Sequence, residues 1–284
     1  MHENSYGDRK RLEFITDIIR EKMPKIVLDI GCGTGQKVTR PLAGFFPETK
    51  FVGIDSDRAS IMAAQENAAL PNLVFHASGD FPPHYDCGLI IASEVIEHVE
   101  NPDEFLDSLK ELLTPEGAIV LTLPNGFGPF EAASFIEALL HLSGLYKGLR
   151  AIYRMTGLAR PAPRESGASN VAGDAIEARD TLAISPHINF FSLWGIRRQF
   201  ACAGLEVQRF RSRTLLCGFG FTHLLRGSWL LSWNARLADH LPPILTSDWM
   251  FLVVPVERCG AAPYRRRGLA RFRRWINERR WGLV

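Results

Sequence analysis

Short apolar runs alternate with helically spaced apolar residues through the first half of the chain. Runs rich in β-branched residues predict buried strands, which fall at residues 25–30, 51–55, 73–76, 87–92 and 118–123. Apolar residues recurring every three or four positions predict helices at 9–22, near 36–45 and near 57–68. Asn101-Pro102-Asp103-Glu104 indicates another helix start, and Ser192 is the expected cap of a later helix. A turn at residues 114–117 is expected before the strand at 118–123. This alternation is typical of an α/β protein with a parallel sheet and crossover helices.

Two apolar insertions interrupt this plan in the second half. Residues 127–185 begin with an apolar helical pattern and run into 159–180, whose Pro, Gly, Ser and Ala content indicates a mobile loop. Residues 215–247 lie between the last two predicted strands, 205–210 and 249–256. This second insertion contains a bulky aromatic-rich patch, which indicates either a lid packed on the sheet edge or a surface that contacts lipid or a long apolar acceptor.

Charge is distributed unevenly along the chain. The formal net charge is +2, but Tyr264 to Val284 contain eight arginines and one acid, so this tail carries +7 and the remainder −5. Four apolar residues recur at helical spacing among these arginines: Leu269, Phe272, Trp275 and Ile276. This pattern is typical of a basic amphipathic helix on an anionic membrane surface, against the alternative of a solvated charged tail. Nucleic acid is disfavoured as a partner, because the body is acidic and carries no recognisable RNA-binding module.

Length and cysteine usage limit the class of protein. With 284 residues of which 46% are hydrophobic, we expect one elaborated domain at 1–258, followed by the basic tail at 259–284. The five cysteines lie far apart with no Cys-x-x-Cys pair, which predicts reduced thiols and a cytoplasmic setting. Met1 to Arg11 contain no apolar signal core, and no apolar run approaches the length of about 18 residues that would span a membrane.

The first predicted strand leads directly into a glycine-rich loop. Asp29 is followed by Gly31-Cys32-Gly33-Thr34-Gly35, in which alternating glycines allow a tight turn and the close approach of a ligand. The spacing differs from the Gly-x-Gly-x-x-Gly of dinucleotide-binding loops, and the preceding carboxylate would repel a pyrophosphate but suit a ligand with an ammonium and a sulfonium. Asp55 ends the second strand, where this type of sheet places an acceptor for ribose hydroxyls.

With these residues the chain resembles the class I S-adenosylmethionine (SAM) methyltransferases. The resemblance implies a Rossmann-like, seven-stranded and mostly parallel sheet with helices on both faces and the two apolar insertions. It implies SAM as cofactor, with Asp29 and the glycine loop around the methionine part, Asp55 on the ribose and Asp80 at the adenine amino group. The expected SAM-binding residues are Asp29, Gly31, Cys32, Gly33, Gly35, Asp55, Ser56, Asp80 and Ser93.

Candidate catalytic residues follow the fourth predicted strand. If a helical turn begins there, Glu94, Glu97 and His98 lie at i, i+3 and i+4 on one face, and His187 approaches from a later segment. Such a set can hold a divalent cation, or can orient and deprotonate an acceptor hydroxyl. We expect His98 to act as the base with His187 or Glu94 as its partner, against the alternative of structural histidines bonded to backbone.

Glu-x-x-Glu-His with a later His before two phenylalanines resembles two branches of the family. These are the ubiquinone-biosynthesis O-methyltransferases and the small-RNA terminal 2′-O-methyltransferases. In the RNA branch, residues matching Glu94, Glu97, His98 and His187 bind a metal, which would make a cation such as Mg²⁺ a second cofactor. The same Glu-His turn and His-x-x-x-Phe pattern also occur in many bacterial methyltransferases with no known metal, so the resemblance leaves both possibilities open. The chain departs from its relatives at Cys87-Gly88, which read as two inserted residues after Tyr85-Asp86.

Together these features predict a SAM-dependent methyltransferase. The expected acceptor is a hydroxyl of a lipid-linked or amphipathic small molecule, of glycan or quinone-precursor type, and the expected location is cytoplasmic with peripheral attachment to the inner membrane face. A metal-dependent RNA ribose 2′-O-methyltransferase and a non-catalytic SAM-binding regulatory subunit remain as alternatives.

Overall fold

A seven-stranded sheet forms the centre of the molecule. The computed structural model describes residues 7–81, 85–145, 186–217, 227–257 and 268–280. The strands are β1 (Ile26–Ile30), β2 (Lys50–Asp55), β3 (Leu73–Ala77), β4 (Cys87–Ser93), β5 (Leu113–Pro124), β6 (Leu205–Ser212) and β7 (Asp248–Pro255). Their order across the sheet is β3-β2-β1-β4-β5-β7-β6. Neighbours from β3 to β5 are parallel, whereas β7 is antiparallel to both β5 and β6.

Helices cover both faces of this sheet. The described residues form α1 (Asp8–Lys22), α2 (Thr39–Phe45), α3 (Arg58–Glu66), α4 (Pro102–Glu111), α5 (Pro129–Leu142), α6 (Leu193–Cys202), α7 (Ser228–His240) and α8 (Gly268–Arg280). Apolar residues of α1, α2 and α3 form one buried cluster with the sheet, and those of α4 and α6 form a second. The strands β1 and β4 are buried on both faces, which explains why each reads as an almost unbroken apolar run.

The predicted mostly parallel sheet is confirmed, and so are several helix starts. Asn101 accepts a hydrogen bond from the Asp103 N–H at the start of α4, and Ser192 accepts one from the Gly195 N–H at the start of α6. The order β1 next to both β2 and β4 creates a switch point between their carboxyl ends, which is where open α/β sheets bind ligands.

The turn predicted at residues 114–117 is wrong, because these residues lie within β5. Leu113 pairs with Cys87 and Ala118 pairs with Leu89, so the register shifts by several residues across a bulge. The extra residues of the bulge lie on β5, opposite the Cys87-Gly88 pair at the beginning of β4. Apolar packing of Cys87 and Leu113 into the second cluster holds this segment in the sheet.

Parts of both predicted insertions lie outside the described residues. These are 146–185, which include the whole predicted loop at 159–180, and 218–226 of the aromatic patch. A membrane-spanning helix needs about 20 largely apolar residues, and no helix in the described part of the chain meets the length and hydropathy required.

Candidate active site

The glycine loop, residues 31–35, lies at the carboxyl end of β1. Gly33 has a φ of +54°, and its N–H donates to Oδ2 of Asp55 at 2.8 Å, which ties the loop to the end of β2. A Cβ atom added at Gly33 would have no heavy atom within 4 Å. Gly35 has a φ of +70° and sits against Phe75, so a Cβ there would be 2.4 Å from the ring. The loop is therefore packed at Gly35 and open at Gly33.

Asp29 supports this loop from beneath. Its side chain is buried, and its Oδ2 accepts a hydrogen bond from Thr39 Oγ1 at 2.6 Å. Burial raises the pKa of Asp29 to about 7, and the hydrogen bond from Thr39 only partly opposes this. A carboxyl at this position can change its protonation state near neutral pH when a charged group binds beside it.

The other predicted SAM-binding residues lie at the same edge of the sheet. Ser56 is exposed after β2, and Asp80 is exposed in a short 3₁₀ turn after β3, where it lies 3.5 Å from Arg58. The Cys32 thiol is half-buried, and burial raises its pKa. Ser93 ends β4, and its hydroxyl lies 2.8 Å from Thr122 Oγ1. The fold thus gathers residues from four strand ends around one edge.

The segment after β4 is a hydrogen-bonded turn rather than the predicted helical turn. The His98 N–H donates to the Val95 carbonyl, and Glu94 has a φ of +59°. A non-glycine residue in this region costs on the order of 1–3 kcal/mol and persists only when its surroundings hold it. Thr122 Oγ1 donates to Glu94 Oε1 at 2.7 Å, and Arg213 forms an ion pair with it at 3.2 Å. These partners hold the Glu94 carboxylate beside β5 and the segment after β6.

Glu97, His98 and His187 come together as a histidine cluster. One potential ligand atom from each of these three residues lies within 4.8 Å of the other two. The two imidazole rings meet edge to face at a centroid distance of 4.8 Å. Both carboxylate oxygens of Glu97 are buried and have no hydrogen-bond partner within the described ranges. The structure therefore joins three of the four predicted metal-site residues, and Glu94 lies outside the cluster.

His187 is fixed from its other side by Glu131. Its Nδ1 lies 2.5 Å from Glu131 Oε1, and Glu131 in turn forms an ion pair with Arg273 at 2.7 Å. Burial by itself would lower the pKa of His187, but the carboxylates of Glu131, Glu97 and Glu94 together outweigh burial and raise the pKa to about 9. For Glu97, burial and the nearby Glu94 carboxylate raise the pKa to about 8.

His98 is oriented by backbone. Its Nδ1 lies 3.3 Å from the carbonyl oxygen of Pro186, which can only accept, so Nδ1 carries the proton in the neutral ring. The basic nitrogen is then Nε2, and it lies 4.0 Å from Glu97 Oε1. Asn189 holds the two segments together, because its amide donates to the carbonyls of Ile96 and Val99.

A known protein family matches most of this chain. A family described as "Methyltransferase domain" matches residues 6–209, more than half of the chain. The chain belongs to the class I SAM-dependent methyltransferases. The matched range contains the glycine loop and the whole histidine cluster, and it ends well before α8.

Curated methyltransferases match over shorter stretches. The mitochondrial ubiquinone biosynthesis O-methyltransferase of Schizosaccharomyces pombe is 32% identical over 124 residues, which cover 39% of this chain and 43% of the relative. The malonyl-[acyl-carrier protein] O-methyltransferase of Halalkalibacterium halodurans is 29% identical over 139 residues, covering 44% and 49%. The chain thus spans less than half the length of these relatives. Because their acceptors differ, family membership alone does not fix the acceptor.

Solved structures support the fold. PKMT2 from Rickettsia typhi, in complex with AdoHcy, superposes with a TM-score of 0.50 at 14% identity, covering 82% of this chain and 49% of that one. At this identity the likeness concerns the fold, in agreement with the strand order described above.

The sheet edge that carries the glycine loop fits SAM, the cofactor of this family. The space beside Gly33 is open where any larger side chain would fill it. Asp55 uses Oδ2 for the Gly33 N–H and Oδ1 for the Asp57 N–H, and a carboxylate has about four acceptor positions, so capacity remains for ribose hydroxyls. Asp29, Gly31, Cys32, Gly33, Gly35 and Asp55 would hold the methionine and ribose parts.

The histidine cluster also fits a divalent cation by its chemistry. A histidine that binds a metal through one ring nitrogen commonly donates the other ring N–H to a carboxylate, as His187 does to Glu131. Neither carboxylate oxygen of Glu97 has a hydrogen-bond partner among the described residues, and His98 lies beside them. Glu97, His98 and His187 would hold such a cation, which would polarise a bound acceptor oxygen.

Two residues of this site could not be recognised from the sequence. Glu131 is an acid near the start of an otherwise apolar helix, a weak signal that something polar faces it. Arg273 is one of eight arginines in the tail and carries no signal that separates it from the others. Both residues join the site only because the fold brings distant segments of the chain together.

Proposed function

We propose that this protein transfers a methyl group from SAM to an oxygen of a small amphipathic acceptor. The observation that carries the proposal is the histidine cluster, which lies after β4 at the same sheet edge as the glycine loop. SAM, when bound, supplies a methyl group on a sulfonium that is already reactive, so holding the acceptor oxygen in line is most of the task. A neutral hydroxyl is a poor nucleophile, and a general base accelerates such steps by about 10²–10⁴-fold.

We assign the general base to His98. Its Nδ1–H is engaged by the Pro186 carbonyl, so the neutral ring presents Nε2 as proton acceptor. His187 would orient the acceptor as the partner of His98, because the two rings lie edge to face. Glu94 is the alternative partner, and its carboxylate is held by Thr122 of β5 and by Arg213 after β6.

The names of the relatives support oxygen as the accepting atom. Two of the matched proteins are O-methyltransferases, one in ubiquinone biosynthesis and one acting on malonyl-[acyl-carrier protein]. One name places its enzyme in ubiquinone biosynthesis, and the other gives an acceptor carried by a protein. An acceptor of quinone-precursor type is consistent with the first name.

Exposed apolar side chains support an amphipathic acceptor and a membrane-facing surface. Those of α5 and the residues after it are Ile136, Leu139, Leu142 and Leu145, those of α7 are Trp229 and Trp233, and those of α8 are Leu269, Phe272 and Trp275. Arg271 and Arg279 are exposed on α8, and the Arg279 guanidinium lies 4.6 Å from the centre of the Trp275 ring. Mixed arginine and aromatic surfaces bind anionic lipid headgroups, so we propose peripheral attachment to an anionic membrane.

The acceptor class can be tested by following the label. Purified protein is incubated with methyl-labelled SAM and an extract of its host, and lipid, polysaccharide, RNA and small-molecule fractions are separated. Label in the organic phase is expected. Label in RNA would contradict the proposal and would favour ribose 2′-O-methylation, and no label in any fraction would favour a non-catalytic SAM-binding subunit.

A metal-assisted form of the reaction is a second candidate. It is favoured by the paired geometry of Glu131 with His187 and by the unpaired oxygens of Glu97. If a cation such as Mg²⁺ takes part, chelation should abolish turnover, and added metal should restore it. Full activity of metal-stripped enzyme, with its metal content checked by elemental analysis, would exclude this form and leave His98 as sole base.

A further inference from the structure

The last described helix, α8, reaches into the site through its inner face. Arg273 is only 7% exposed although it lies on a helix that is otherwise rich in exposed arginines. Its guanidinium donates to the Gly126 carbonyl and to Glu131 Oε2, the latter at 2.7 Å. One turn later, the Asn277 side chain donates to the His187 carbonyl at 3.1 Å. One side chain of this helix therefore holds Glu131, the partner of the His187 ring, and another holds the His187 backbone.

Aromatic rings enclose the buried guanidinium. Its Cζ lies 4.0 Å from the centre of the Phe190 ring and 5.9 Å from that of Phe135. A buried cation is costly unless it is paired and hydrogen-bonded, and Arg273 is both. The same arrangement neutralises the buried carboxylate of Glu131, which lies at the beginning of α5. Removing the guanidinium would leave that carboxylate with His187 as its remaining charged partner at this position.

The chain of contacts continues to the reacting region. Glu131 uses Oε2 for Arg273 and Oε1 for His187 Nδ1, so it is a fixed link between them. A ring nitrogen of His187 lies within 4.8 Å of a carboxylate oxygen of Glu97 and a ring nitrogen of His98. Because Glu131 engages Nδ1, Nε2 is the nitrogen that remains for a second partner. We propose that Arg273 is a positioning residue that, through Glu131 and with Asn277, fixes the ring orientation of His187 with Nδ1 facing Glu131.

This proposal deepens the proposed function, since it rests on a role for His187 in the active site. It also goes beyond the family, because the family match ends at residue 209 and α8 begins at Gly268. Groups that orient such residues from behind typically change activity by about 10–100-fold when removed. An equivalent loss is expected here in kcat, with the KM for SAM unchanged, because Arg273 makes no contact with the glycine loop.

The first test reads His187 directly. Long-range ¹H–¹⁵N spectra of full-length protein at one fixed pH report the protonation pattern of the His187 ring. Arg273→Met should move the His187 nitrogen signals, and Arg273→Lys should restore them in part. Arg271→Met is the matched control, because Arg271 is exposed on the same helix. Unchanged His187 signals in Arg273→Met would overturn the proposal.

A second variant guards against loss of folding. If Arg273→Met does not fold, Glu131→Gln keeps the shape of the link but removes its charge, and it should move the same His187 signals. Signals identical to wild type in Glu131→Gln would also overturn the proposal. Turnover is then measured for every folded variant, and a 10- to 100-fold fall in kcat is expected in Arg273→Met. If the signals move but wild type transfers no methyl group to any acceptor, the proposed function fails while the positioning role of Arg273 stands.

Discussion

The glycine loop and the histidine cluster lie at the same edge of the sheet but are assembled differently. The loop and its supporting acids come from consecutive strand ends, and the Gly33–Asp55 contact joins residues 22 apart in sequence. Behind the histidine cluster, the contacting residues Glu131 and His187 are 56 residues apart in sequence, and Glu131 and Arg273 are 142 apart. One half of the site is local, and the other depends on the whole fold.

Their electrostatics differ in the same way. Asp55 beside the loop accepts backbone N–H groups and stays partly accessible. The histidine cluster, in contrast, contains the buried carboxylate of Glu97 and contacts the buried Glu131, which pairs with the buried guanidinium of Arg273. Buried charges are tolerated only with matched partners, so each residue of the cluster constrains the next. The glycine loop can therefore keep its shape with few specific side-chain partners. On the side of the histidine cluster, a substitution at one residue removes the charged partner of the next.

The largest effect should come from His98→Ala. Loss of the proposed base is expected to lower turnover by about 10²–10⁴-fold while SAM affinity stays unchanged. Steady-state kinetics and SAM titration calorimetry measure the two quantities separately. His141→Ala is the control, because His141 is a partly exposed histidine on α5. A large loss of SAM affinity in His98→Ala would mean that His98 supports the structure of the site. The glycine loop and the histidine cluster would then not be independent.

Gly35→Ala should instead weaken the binding of SAM. The positive φ of Gly35 and the nearby Phe75 ring leave no room for a Cβ, so the loop must distort. A left-handed conformation costs a non-glycine residue about 1–2 kcal/mol, and with the added clash we expect SAM to bind at least about tenfold more weakly. Gly79→Ala, where a Cβ meets no atom within 4 Å, is the control. Equal SAM affinity in both variants would contradict a packed loop.

A smaller effect is expected on the outer face of α8. The double change Phe272→Ser and Trp275→Ser removes two exposed apolar side chains, which should weaken co-sedimentation with anionic liposomes by about tenfold. Turnover of a soluble acceptor should not change, because the inner-face residues remain. Trp194→Ser, at an exposed tryptophan on α6, serves as the control. Undiminished liposome binding in the double variant would remove the membrane proposal.

The last prediction concerns stability rather than activity, through its dependence on pH. Burial raises the pKa of Asp29 from 3.8 to about 7, so between these pH values the folded state holds a proton that the unfolded state has lost. The free energy of unfolding should therefore fall as pH rises through this range and level off above about 7. Urea unfolding of ligand-free wild type and Asp29→Asn at several pH values isolates this contribution. The exposed Asp17→Asn is the control, and parallel wild-type and Asp29→Asn curves would refute the effect.

The fold and the cofactor half were largely predictable from sequence. The glycine loop, the strand ends at Asp29 and Asp55, and the N-caps at Asn101 and Ser192 are short-range patterns with short-range causes. The bulge in β5 was not predictable, because its proline and glycine suggest a turn and only pairing with Cys87 keeps the segment in the sheet.

The acceptor half was predictable only in its ingredients. The histidines and acids could be listed, but the backbone at Glu94 is left-handed and its carboxylate lies outside the histidine cluster, although it is near enough to raise the pKa of Glu97. A hydrogen bond from Thr122 of β5 and the charge of Arg213, which follows β6, hold the Glu94 carboxylate. Glu131 and Arg273 depend in the same way on contacts between distant segments.

The position of Arg273 late in the chain has a consequence for the order in which the enzyme is made. Translation proceeds from the N-terminus, so the glycine loop and His187 are synthesised before α8, and Asn277 follows His187 by 90 residues. At roughly 5–20 residues per second this interval lasts about 5–18 seconds. A chain still on the ribosome can therefore complete its cofactor edge first, and His187 is locked into place only when the helix that holds it has emerged and docked.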